Sequence, residues 1–120
     1  MGRPVHFEFA TPDPELEIAY FSTLLGWEIG RWGEEEYWLA DTGKEPMGIN
    51  GAIMRLSAPD QPRVVTTMGV ESIDDAIAKA VELGGTIAME KQEVPGIGWT
   101  AYIVSPTGIL FGMIEPMPML

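Results

Sequence analysis

The chain has no cysteine, a single histidine and only 7 basic residues among 120. Without thiols there can be no disulfide, no zinc–thiolate centre and no cysteine nucleophile. Eighteen acidic residues against those seven give a formal net charge of −11. A surface of that sign repels phosphate backbones and anionic lipid heads, so neither nucleic acid nor membrane is an expected partner. No apolar run approaches the roughly 20 residues of a membrane-spanning helix. The opening "MGRPVHFEFA" lacks a signal-peptide core and has His6 where a myristoylation signal needs Ser or Thr, so a cytoplasmic location is expected. Nucleotide loops are missing too: "GING" at 48–51 and "GIG" at 96–98 fit no strand–GxGxxG–helix context. Ser105, in the turn "VSPTG", has no histidine near it in sequence, and there is no nucleophile elbow.

What remains is the material of one ordinary domain, with 46% hydrophobic and 21% charged residues, enough for a core without staples. Val5, Phe7 and Phe9 alternate with His6 and Glu8, which predicts a half-buried strand over 5–10. "TPDP" breaks it, and Asp13-Pro14 reads as an N-cap followed by proline at the first helical position. Leu16, Ala19, Tyr20 and Leu24, with Ile18 and Phe21, then repeat at helical spacing until Gly26. Strands are predicted over 27–32, 37–41 and 49–56, ended by Gly33, "TGKEP" and "SAPDQP"; Glu34-Glu35-Glu36 reads as a solvated turn. The order then starts again. A strand over 63–70 precedes a helix capped by Ser72, whose expected buried stripe is Ile73, Ala76, Ile77, Ala80, Val81 and Leu83. "LGG" at 83–85 stops it, and strands over 86–94, 99–104 and 109–115 follow, with "PMPML" as a frayed or partner-packed tail. The pattern is βαβββ twice: module one 5–56, linker 57–62, module two 63–115. Such modules need each other to cover their sheets, so the expected class is α+β with helices outside and a concave cleft.

At this point "HFEF…DPELEIAYFSTLLGW", "YWLADTG", "GINGAIMR" and "VESIDDAIAKAVELGGTI…PGIGWTAYIVSPTGILFGMIEP" resemble the vicinal oxygen chelate superfamily, the glyoxalase, bleomycin-resistance and extradiol-dioxygenase group. The likeness is greatest to its small bacterial glyoxalase-like members related to lactoylglutathione lyase, and covers Val5 to Glu115. It implies two βαβββ modules in an incomplete eight-stranded barrel, and frequent homodimers. It also implies, in metal-dependent members, four ligands: a His on the first strand and a Glu on the last strand of module one, with the equivalent pair in module two. His6 fits the first position. Val65 stands at its counterpart, Gly112 at the final glutamate, and "INGAIM" at 49–54 offers no carboxylate. One imidazole cannot hold a divalent ion of that chemistry, so no cofactor is expected; a metal held by His6 with Glu8, roughly 7 Å away along the strand, is the weaker alternative.

If Phe7 and Phe9 pack under the helices, His6 and Glu8 face the cleft. Two readings stay open for them: a proton-transferring acid–base pair, or a polar rim whose members merely bond to each other. Trp27, Trp32, Trp38 and Trp99, with Tyr20, Tyr37 and Tyr102, are core packing or walls for an aromatic small-molecule ligand, and Trp99 after "PGIG" is the best ligand candidate. Gly51 and Gly112 mark either room left by absent carboxylates or β-bulges, and Thr67 offers a hydroxyl on the face of Val65. The expected function is a metal-independent isomerase- or lyase-type proton transfer beside a carbonyl, using His6 and Glu8. The alternative is sequestration of a bulky ligand without turnover, as in bleomycin resistance; the missing ligands argue against a metal-dependent glyoxalase or dioxygenase. Pairing of modules within one chain, followed by a twofold dimer, is the expected assembly.

Overall fold

The alternating "PVHFEFAT" forms strand β1 (Pro4–Thr11), and the prolines after it turn the chain into helix α1 (Pro14–Leu25). The computed structural model describes residues 2–45 and 47–118, and the chain continues as β2 (Glu28–Arg31), β3 (Tyr37–Asp41), β4 (Asn50–Arg55), β5 (Val64–Gly69), α2 (Ile73–Glu82), β6 (Thr86–Val94), β7 (Gly98–Val104) and β8 (Leu110–Pro116). This is an α+β fold with the element order βαβββ occurring twice. The caps work as their residue types predict. Asp13 accepts the Leu16 N–H at 3.2 Å, and Gly26 closes α1 in the left-handed conformation, φ 73, with its N–H on the Ser22 carbonyl. Ser72 accepts the Asp75 N–H at 3.2 Å, while Glu115 of β8 takes the Ile73 N–H at 2.9 Å, so two of the orphan donors of α2 are satisfied.

By contacts the described residues fall into two compact units, one running from His6 to Val65, the other comprising the residues up to Val5 and those from Thr66 onward. In the first the strand order is β2-β3-β4-β1, with β1 parallel to β4 and the other pairs antiparallel. The register sets His6 beside Asn50, Phe7 beside Gly51 and Glu8 beside Ala52. Phe7 and Phe9 lie 4.7 Å apart between ring centroids, Phe9 meets Phe21 of α1 at 5.5 Å, and Phe21 stacks on Trp27 at 5.1 Å. This aromatic layer is the glue between α1 and its sheet, and it leaves His6 and Glu8 on the opposite face. Of the apolar residues repeating along α1, Ile18 and Phe21 turn inward and are half-buried, whereas Leu16, Tyr20 and Leu24 are 66%, 57% and 60% exposed.

In the second unit the order is β5-β8-β7-β6, with β5 parallel to β8. Its core is Ile73 of α2 against Ala101, Ile103 and Met113, extended by Ala76, Ile77 and Ala80. Val81 and Leu83, expected in the buried stripe, are exposed. Val81 lies about 100° round the helix from Ala80, on the solvent side, and Leu83 caps the helix end. The remaining segments are surface turns. Arg31 donates to the carbonyls of Glu34 and Glu35, Glu36 pairs with Arg55 at 2.6 Å in solvent, and Gln61 accepts the Ser57 N–H across the 57–62 loop. In the tail the Met117 N–H bonds to the Ile97 carbonyl; Met119, Leu120 and Pro46 of "TGKEP" lie outside the described residues. No helix among the described residues is long and apolar enough to cross a membrane.

Gly51 shows how tightly the aromatic layer is set. A Cβ at this position would stand 2.5 Å from three atoms of the Phe7 ring, which is itself packed against Phe9 and Trp27. Gly51→Ala is expected to lower stability by about 1–3 kcal/mol, the ordinary cost of overpacking a filled site. Urea unfolding monitored by tryptophan fluorescence reads it; an unchanged midpoint would mean that the ring has somewhere else to go.

Candidate functional site

The polar face of β1 carries a chain of three side chains. Tyr37, the first residue of β3, donates its hydroxyl hydrogen to Glu8 Oε2 at 2.7 Å, and the tyrosine oxygen itself lies 3.0 Å from His6 Nε2. Glu8 is 8% exposed and His6 is half-buried, so the cluster is largely withdrawn from water. Strand register brings it together: β4 lies between β1 and β3, and Ala10, Met54 and Tyr37 share one row across the three strands. Tyr37 therefore projects on the face of Glu8, one pleat away. Two effects act on His6. Burial lowers its pKa from the ordinary 6.5, and the nearby Glu8 charge pulls it part of the way back. Burial is the larger of the two, so the neutral imidazole, the form able to accept a proton, predominates at neutral pH.

The other residues singled out in the sequence divide into separate groups. Gly51 is on the opposite face of the sheet from His6, where the Phe7 ring fills the space beside it; its register with Phe7 and Ala40 is regular, with no bulge. In the second unit Thr67, Gly112 and Tyr102 form one row across β5, β8 and β7, on the sheet face away from α2. A Cβ on Gly112 would meet Thr67 Oγ1 at 2.7 Å and the Tyr102 ring at 3.3 Å, so glycine is what lets these two side chains approach. Trp99 lies on the other face, packed against the α2 core with Lys91 Nζ 4.7 Å above its ring. Its neighbourhood is that of a core residue with a cation–π cover. Ser105 accepts the Ile109 N–H at 3.0 Å and serves its turn. A hollow of about 220 Å³ opens on the aromatic side of β1, edged by Phe9, Phe21, Thr11, Glu17 and Arg63, and includes neither His6 nor Glu8.

The donor set does not suit a chelated divalent ion of the kind the superfamily's metal-dependent members hold. Beside His6 on β4 stand Asn50, Gly51 and Ala52; Val65 is a buried aliphatic and Gly112 has no side chain. Among the described residues no three of His, Cys, Asp and Glu gather. The Tyr37 hydroxyl, moreover, already bridges the pair His6 and Glu8.

Comparison with known proteins gives this chain a family. Residues 6–114 match the family described as the glyoxalase-like domain. The chain belongs to that family. This glyoxalase-like domain is 26% identical over 123 residues to the Mycobacterium bovis protein named "Putative glyoxylase CFP32", an overlap of 98% of this chain and 45% of that protein. The chain thus spans less than half the length of the curated relatives it matches. Among solved structures, a glyoxalase/bleomycin resistance protein/dioxygenase superfamily member from Vibrio splendidus superposes with a TM-score of 0.69 at 18% identity, covering 96% of this chain and 99% of the other. Methylmalonyl-CoA epimerase from Mycobacterium tuberculosis gives 0.68 at 16% identity, covering 98% and 89%. At these identities the likeness is one of fold, that of the vicinal oxygen chelate proteins.

Because His6 is the only histidine, its ring signals can be followed without assignment variants. Its midpoint in an NMR titration is expected below 6.5. A depressed midpoint means the unfolded chain takes up the proton first. The contribution of His6 to stability is therefore present above about pH 6.5 and lost as pH falls through the folded midpoint. Removing the carboxylate charge with Glu8→Gln should lower the midpoint further; a rise would contradict the balance of burial and charge described here.

Proposed function

We propose that this glyoxalase-like domain moves a proton at a carbon beside a carbonyl group, with His6 as the base and Glu8 acting on it through Tyr37. The observation that carries this reading is the Glu8–Tyr37–His6 chain, a base backed by a charged acceptor in a half-dry site. In the step itself the imidazole lone pair takes the proton as the C–H bond breaks. The electrons of that bond pass into the enolate, and the proton returns from the imidazolium to carbon or oxygen. No outside oxidant or co-reactant is needed. As the imidazolium forms, the Glu8 charge behind the hydroxyl stabilises it. Asn50, the partner of His6 across β1 and β4, is the side chain this reading assigns to the developing enolate oxygen. Its Oδ1 accepts from the Thr42 N–H at 2.9 Å, which leaves its two amide hydrogens as the donors it can offer. The fold-level likeness to methylmalonyl-CoA epimerases favours acyl thioesters as the first substrates to try.

A second reading is that the domain binds a small molecule without turning it over, as bleomycin-resistance proteins do. What favours it is the same hydroxyl: Tyr37 engages His6 and Glu8 already, so the cluster is bonded without any ligand. Hydrogen–deuterium exchange separates the two. In deuterated buffer the protein is expected to catalyse wash-in at the carbon beside the carbonyl of 2-substituted acyl-CoA thioesters, read by NMR. His6→Ala should slow it by about 10²–10⁴-fold, the range for loss of a general base. Binding of the thioester that is the same in both proteins, with no exchange in either, would decide for sequestration.

A further inference from the structure

We infer that Tyr37 fixes the tautomer of His6, so that the atom accepting the proton is Nδ1 and not Nε2. This deepens the proton-transfer reading and rests on it only for its catalytic meaning. The inference comes from counting hydrogens. A tyrosine hydroxyl has one, and that of Tyr37 points to Glu8 Oε2 at 2.7 Å. A carboxylate has none to give, so the hydrogen in this bond is the tyrosine's. Towards His6 Nε2, 3.0 Å away, the same oxygen offers only lone pairs. The hydrogen in the second contact must therefore sit on Nε2. A neutral imidazole carries a single N–H, which leaves Nδ1 with the bare lone pair. The reverse tautomer would set the lone pair of Nε2 against those of the tyrosine oxygen. Turning the hydroxyl towards His6 would repair that contact and break the bond to Glu8, a carboxylate only 8% exposed.

The arrangement has a functional use. Protonation adds a hydrogen at Nδ1 and leaves the chain Nε2–H to hydroxyl to carboxylate intact, so the base can cycle without any side chain turning. Tyr37 is thus a positioning residue that acts through His6. It also marks the side of the ring that meets a substrate: the edge bearing Nδ1.

One spectrum tests this, since the chain has one histidine. In uniformly ¹⁵N-labelled wild-type protein, above the His6 midpoint, a long-range ¹H–¹⁵N correlation should show Nε2 at the position of a protonated nitrogen and Nδ1 at that of an unprotonated one. The ratio of tautomers should be about tenfold or more, as expected for a bond in a charge-assisted chain. The reversed pattern, or two nitrogens averaged to one position, overturns the inference. In Tyr37→Phe the two positions should move together; if that variant does not fold, the wild-type spectrum still decides. The outcome is independent of turnover. The expected pattern without hydrogen exchange removes the proton-transfer reading and keeps the assignment, whereas His6-dependent exchange with the reversed pattern does the opposite.

Discussion

Each side chain of a strand must go to one of two faces, and on β1 that constraint separates two kinds of chemistry a single residue apart. Phe7 and Phe9 go to the aromatic layer with Phe21 and Trp27, which attaches α1 to its sheet. His6 and Glu8 are then fixed on the reverse side, and Ala52, fully buried beside Glu8, helps keep water from it. The same strand is the spine of the hydrophobic layer and the carrier of the ionisable pair. A one-residue slip would exchange the two sets and put a carboxylate among aromatic rings, at a cost of several kcal/mol. The register of β1 against β4 is accordingly the feature on which both the packing of this unit and the assembly of its polar cluster depend.

A buried carboxylate is costly unless its oxygens find donors. Tyr37 offsets part of that cost for Glu8 and at the same time ties it to His6, so the requirement that buried polar groups be satisfied and the proposed acid–base role are met by one hydroxyl. Of the opposing influences on His6, burial lowers its pKa by more than Glu8 raises it, so the imidazole is neutral at neutral pH.

Much of this architecture could be read from the sequence. Asp13-Pro14, Gly26 and Ser72 mark helix ends by local chemistry alone, and the alternation in "VHFEF" separates the faces of β1. The inward side of α1 could not be read, because Leu16, Tyr20 and Leu24 make one apolar stripe and Ile18 and Phe21 another. Which of them is covered depends on Phe9 and Trp27, which lie outside the helix. Tyr37 escaped for a related reason. Alternation places it with Leu39 on one face of β3, but its meeting with Glu8 depends on β4 lying between the two strands, a long-range fact with no local signature. Trp99 shows the same limit: a tryptophan after a glycine turn suggests a ligand wall, and it is the parity of β7 that places it on the α2 side of the sheet.

Gly51 has a consequence for anyone who would redesign this domain. Its open side is occupied by the Phe7 ring, on the face of the sheet turned away from His6. A side chain added there would enter the aromatic layer and could not reach the imidazole, so positions 7 and 51 can change only as a pair: a larger residue on β4 demands a smaller one on β1. Asn50 and Ala52, one residue to either side, share the His6 face, and a new group beside the imidazole would have to be introduced there.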